Sequence, residues 1–108
     1  MPPSLPPADD PVQADRGATR HATSAIELAA ATGNDKALVD ALLTSARTAR
    51  RRGDAGGAIA ALERSEAAAA DGPPARLRQV LSERSELAAE AGDHATAYEL
   101  GRRALALG

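Results

Sequence analysis

The sequence predicts an all-α domain built from antiparallel helical hairpins. Three observations carry that prediction. Alanine supplies most of the 44% apolar residues and Tyr98 is the single aromatic. Alanine favours helices, whereas a sheet draws on β-branched and aromatic side chains that this chain mostly lacks. Glycine followed by Asn, Asp or Pro then punctuates the chain at helix-length intervals. Finally, one offset of 39 residues relates Gly53-Asp54 to Gly92-Asp93 (92 − 53) and Gly33 to Gly72 (72 − 33).

Residues 1–14 form the first unit, a disordered or polyproline-like tail. Pro2, Pro3, Pro6, Pro7 and Pro11 remove backbone donors there, and Asp9 and Asp10 add charge with little to bury. Pro3 to Pro6 matches a PxxP ligand pattern, but such matches are common by chance, and a plain tail is the expected reading.

Residues 15–108 form the repeat domain, and the punctuation divides it into five helices at about 15–32, 35–52, 54–70, 74–91 and 93–107. Glycine just past a helix C-terminus accepts a left-handed backbone. An Asp or Asn after it caps the next helix by accepting from free backbone N–H groups. Gly33-Asn34, Gly53-Asp54 and Gly92-Asp93 all read this way. Gly72-Pro73-Pro74 ends the third helix and sets a proline in the first turn of the fourth, where the missing N–H costs nothing. Leu38, Leu42, Ala46 and Ala49 form an apolar stripe on the second helix, matched on the fourth by Leu77, Leu81, Ser85 and Ala88. Ala58, Ile59 and Leu62 line the third helix. Ala97, Leu100, Ala104, Leu105 and Leu107 line the fifth. Connections of two or three residues make consecutive helices antiparallel. The core is thin, because an alanine methyl contributes only about 0.8 kcal/mol against roughly 1.5–3 for a buried leucine.

The stretch GDHATAYELGRRALALG, residues 92–108, resembles the second half of a tetratricopeptide repeat. Gly92-Asp93, Ala97, Ala104 and Leu105 fall on the family's pattern. In the preceding copy Gly53-Asp54, Ala58 and Ser65 do so, and Glu66 replaces the leucine. Leu42, Ala46 and Ala49, and then Leu81, Ser85 and Ala88, match the first helices in part, with alanine where the family carries aromatics. The 39-residue period exceeds the family's usual 34, as in longer-helix variants. The resemblance implies a short right-handed solenoid of stacked hairpins with a concave groove that binds protein or peptide. By that analogy the groove residues are Asp40, Leu43, Thr44, Arg47 and Arg51 from the second helix. Gln79, Ser82, Glu83, Glu86 and Glu90 come from the fourth. Leu43 and Arg47 stand where the family's chaperone-tail binders carry a carboxylate clamp, so that clamp is not expected. Equivalent positions on successive first helices should be neighbours, which suggests a ladder of Arg47–Glu86 and Arg51–Glu90, against the alternative of two separately solvated faces.

Function follows as a set of expectations. The 13 basic and 15 acidic residues leave a formal charge of −2, which is no footprint for nucleic acid. Arg50-Arg51-Arg52 sits in a last helical turn, where cations complement the helix dipole. His21 and His94 fall on different helices without a metal-ligand spacing, the serines lack a nucleophile-elbow context, and no phosphate-binding glycine motif is present. Neither catalysis nor a cofactor is expected. With no cysteine, no signal-like N-terminus and no apolar run near the roughly 20 residues of a membrane span, a cytoplasmic location is expected. Abundant Ala, Arg, Gly and Pro point to a GC-rich, bacterial coding sequence. The reading is a non-catalytic scaffold or regulatory adaptor that binds protein or peptide. The alternative is a fragment, or a sensory segment, of a larger bacterial signalling or transcriptional regulator. Leu105 and Leu107 form an uncapped end at which a homodimer could assemble.

Overall fold

The structure, a computed structural model, describes residues 11–107, with side chains at Arg20 and from Thr23 onward. The expected tail over residues 1–10 and the His21 side chain lie outside the described residues. Five helices follow in order: α1 Pro11–Thr32, α2 Asp35–Arg51, α3 Ala55–Ala69, α4 Pro74–Glu90 and α5 His94–Ala106. The all-α expectation is met, and no strand occurs among the described residues. The first helix begins at Pro11, four residues before the expected start, and Pro11 itself occupies the first helical position, where proline loses no helical hydrogen bond.

One turn chemistry is used three times. Gly33, Gly53 and Gly92 take φ of 69°, 76° and 81°, and all other described residues avoid the left-handed region. In the α2–α3 turn the Asp54 N–H donates to the Ala49 carbonyl at 2.8 Å and the Gly53 N–H to that of Arg50 at 3.0 Å. In the α4–α5 turn Asp93 donates to Ala88 at 2.9 Å and Gly92 to Ala89 at 3.0 Å. These paired bonds, six-to-one and five-to-two, close a helix end on a left-handed glycine. The next residue then caps the following helix. Asn34 accepts from the Ala37 N–H at 3.0 Å, Asp54 from Gly57 at 2.9 Å and Asp93 from Thr96 at 3.2 Å. The α3–α4 turn differs. Gly72 is not left-handed. Its N–H donates to Ala69 at 3.1 Å, and Pro74 starts α4.

Each helix packs on the next in sequence, and α2 also reaches α4. The larger apolar cluster joins Val39, Leu43, Ala46 and Ala49 of α2 with Ala58, Leu62 and Ala69 of α3 and with Val80 and Leu87 of α4. A smaller one holds Leu81, Leu100 and Ala104, with Leu77 and Leu107 packed on it. Leu43 is therefore a core residue, 1% exposed, and not a groove residue. It lies four residues from Val39 and three from Ala46, a spacing that puts all three on one buried stripe.

One polar atom in this core lacks a partner. Ser65, on α3, is fully buried and its hydroxyl makes no hydrogen bond. An unsatisfied buried hydroxyl costs about 1–3 kcal/mol. Ser65→Ala is expected to raise the free energy of unfolding by about 1 kcal/mol in urea titrations. By contrast, Leu62→Ala, which empties a site of 0% exposure, should lower it by about 2–4 kcal/mol.

Candidate interaction surface

The expected groove residues of α2 and α4 can be placed one by one. Asp40, Thr44, Arg47 and Arg51 recur at intervals of four, three and four residues on α2, which sets them on one helical face, and all four are exposed. On α4, Gln79, Ser82, Glu86 and Glu90 are exposed and Glu83 is half-buried. Ion pairs bring the C-terminal halves of the two rows together, so the rows lie side by side on one surface.

The pairing differs from the expected ladder. Arg47 donates through Nε and Nη2 to Glu83 Oε1, at 3.1 and 2.7 Å, and not to Glu86. Arg51 reaches Thr48 Oγ1 on its own helix at 3.3 Å and makes no rung with Glu90. Arg50 takes the central place instead. Its Nη2 and Nε grip Glu90 in a two-point fork, the Nε contact at 3.3 Å. Its Nη1 lies 3.4 Å from Glu83 and 3.9 Å from Glu86. The hydrogen bond to Glu90 raises the Arg50 pKa above its ordinary value; burial opposes this, and the charges of Glu90, Glu83 and Glu86 reinforce it. Arg50 thus does more than complement a helix dipole. The sequence held the signal: Val39, Leu43, Ala46 and Arg50 follow one stripe, and its last member is the one that must find an anion on the neighbouring helix.

A second charged cluster crosses three helices. Glu66 of α3 accepts from Arg84 Nη1 of α4 at 2.7 Å, and Arg103 Nη1 of α5 lies 3.7 Å away. The 39-residue offset carries Glu66 onto Leu105, and these two arginines give the Glu66 carboxylate its partners. Beside it opens an apolar cleft of about 190 Å³, lined by Ala55, Ile59 and Leu62 of α3, Leu87 and Ala88 of α4, Ala91 just past the end of α4, and Leu100 of α5. Its rim carries Arg84, Asp93 and Thr96. The cleft exists because three of its lining side chains are alanines, too short to close the gap between α3 and α5. The alanines at these packing positions are legible in the sequence, whereas the cleft they leave depends on how α3, α4 and α5 pack together. The Asp93 carboxyl at this rim is held below its ordinary pKa by its hydrogen bonds with Thr96.

At the C-terminal end only one of the two expected residues is open. Leu105 is 81% exposed, whereas Leu107 packs on the smaller apolar cluster. Among the described residues no group of three His, Asp or Glu side chains is placed to hold a metal ion, and no helix is long and apolar enough to cross a membrane.

The altered pairing can be measured. A double-mutant cycle on Arg50 and Glu90 should give a coupling of about 0.5–1 kcal/mol, as for a partly exposed networked pair. The same cycle on Arg51 and Glu90 should give a value indistinguishable from zero. Compared with known proteins, the chain matches no family model, no curated protein and no solved structure.

Proposed function

We propose that the chain is a non-catalytic, tetratricopeptide-like interaction module. In this reading the hairpins α2–α3 and α4–α5 stack as a short right-handed solenoid, and the shared face of α2 and α4 receives an extended or helical segment of a protein partner. The observation that carries the proposal is the repeated frame. The 39-residue offset that relates the two hairpins in sequence also relates their backbone turns, their Asp54 and Asp93 caps and their buried Leu42 and Leu81. Repeats of this kind bury their cores between neighbours and leave long faces free for partners. On this face Asp40, Thr44, Gln79, Ser82 and Glu86 are exposed and take little part in the packing just described. Basic Arg47 and Arg51 border acidic Glu86 and Glu90, so a partner segment carrying both signs of charge fits best.

A photo-crosslinking side chain tests this directly. Placed at Thr44 or Ser82, it should capture a protein partner covalently in extracts of the source cell. Placed at Glu63, exposed on α3, it should not. Capture from Glu63 alone would move the binding face to the other side of the hairpins.

A further inference from the structure

The two hairpins differ on the side from which a following element would approach. The α2–α3 hairpin receives α4 with Val39, Leu43 and Leu62, all buried in one cluster with Val80 and Leu87. Moving 39 residues on, these three positions become Arg78, Ser82 and Gly101. Arg78 and Ser82 are exposed, and glycine offers no side chain to bury. The α4–α5 hairpin therefore lacks the apolar face that would seat another hairpin in the same manner.

Its apolar surface lies elsewhere, on the outer face of α5. Ala95, Tyr98, Arg102 and Leu105 recur at intervals of three, four and three residues, which makes a single stripe. Tyr98 and Leu105 on it are 73% and 81% exposed, the two most open large apolar residues among those described. Glu99 flanks the stripe, and its carboxylate lies 3.6 Å from the Arg102 guanidinium within the stripe, both side chains open to solvent.

This stripe is complementary to itself when reversed. With two copies of α5 antiparallel and a two-fold axis level with Leu100, Ala95 falls opposite the partner's Leu105. Tyr98 then falls opposite the partner's Arg102. The same register brings Glu99 beside the partner's Arg102 and, by symmetry, Arg102 beside the partner's Glu99. A contact in which one patch meets its own copy closes after two subunits, whereas head-to-tail stacking of hairpins would not close. We infer that a second copy of this chain docks on α5, antiparallel, through Tyr98, Leu105 and the reciprocal Glu99–Arg102 pairs. This surface is separate from the α2–α4 face, so the dimer would carry two free partner-binding faces. A helix of this length is about 20 Å long, and one face of it falls short of the roughly 800 Å² per partner of a standard interface. The dimer should accordingly be weak and concentration-dependent.

Sedimentation equilibrium of the chain from about 10 μM to 1 mM, with circular dichroism on the same samples, tests the inference; that range spans weak association. The expected result is a monomer–dimer equilibrium. Leu105→Glu should raise the dissociation constant at least tenfold with unchanged helicity. Leu28→Glu, at the exposed leucine of α1, should leave it unchanged. Arg102→Glu should weaken the dimer, and the swapped pair Glu99→Arg with Arg102→Glu should restore it. A folded monomer at every concentration would overturn the inference. So would a dimer indifferent to Leu105→Glu, or a ladder of higher oligomers, which would mean head-to-tail stacking.

Discussion

Close approach of helix backbones is the constraint on which the rest of this structure depends. A chain with so much alanine cannot fill wide gaps between helices, so its helices must cross where side chains are small. Ala46 and Ala58 are fully buried in the larger apolar cluster between α2 and α3. In the second hairpin Ser85 approaches α5 closely enough for its hydroxyl to donate to the Ala97 carbonyl at 2.7 Å. Gly101 faces the same hydroxyl, and a methyl added there would sit in ordinary contact with it at 3.6 Å. A few large side chains, Val39, Leu42, Leu43, Leu62, Val80 and Leu81, then supply the bulk. Where they run out, as between Ala55, Ala88 and Ala91, a cleft remains.

The same economy explains why charge reaches into the joint between hairpins. The α2–α4 contact is narrow, and at its C-terminal end the buried stripe of α2 passes from Ala46 to Arg50. A guanidinium there is tolerable only with anions beside it, and α4 presents Glu83, Glu86 and Glu90. Glu66 with Arg84 and Arg103 does the corresponding task among α3, α4 and α5. Such networks stabilise modestly in water. Their larger effect is geometric, because a two-point fork permits few relative placements of the helices. The register of α2 against α4, and with it the shape of the proposed binding face, is thereby held by side chains that are partly open to solvent.

What could be read from the sequence was what local chemistry determines. The turns at Gly33, Gly53 and Gly92 and the caps at Asn34, Asp54 and Asp93 depend on a few adjacent residues, and they stand where the residues put them. The helix count followed from those turns. Contacts between helices were less legible. A 39-residue frame places Arg47 level with Glu86, yet Arg47 meets Glu83, one turn earlier. Side-chain reach and helix rotation decide the partner, and neither is encoded in the offset. Leu43 was misplaced for a related reason: analogy assigned it to the groove, while its own spacing from Val39 and Ala46 assigned it to the core. Glu66 looked like a defect in a repeat pattern until the two arginines around it came from other helices.

The most direct test of this account is the seam between the hairpins. Methyl-labelled protein should show nuclear Overhauser contacts linking the Val39, Leu43 and Leu62 methyls of the first hairpin to those of Val80 and Leu87 on α4. Those contacts would establish that the two hairpins form one packed body with a common α2–α4 face. Contacts confined within each hairpin, with none across the seam, would contradict it and leave two independent hairpins on a tether.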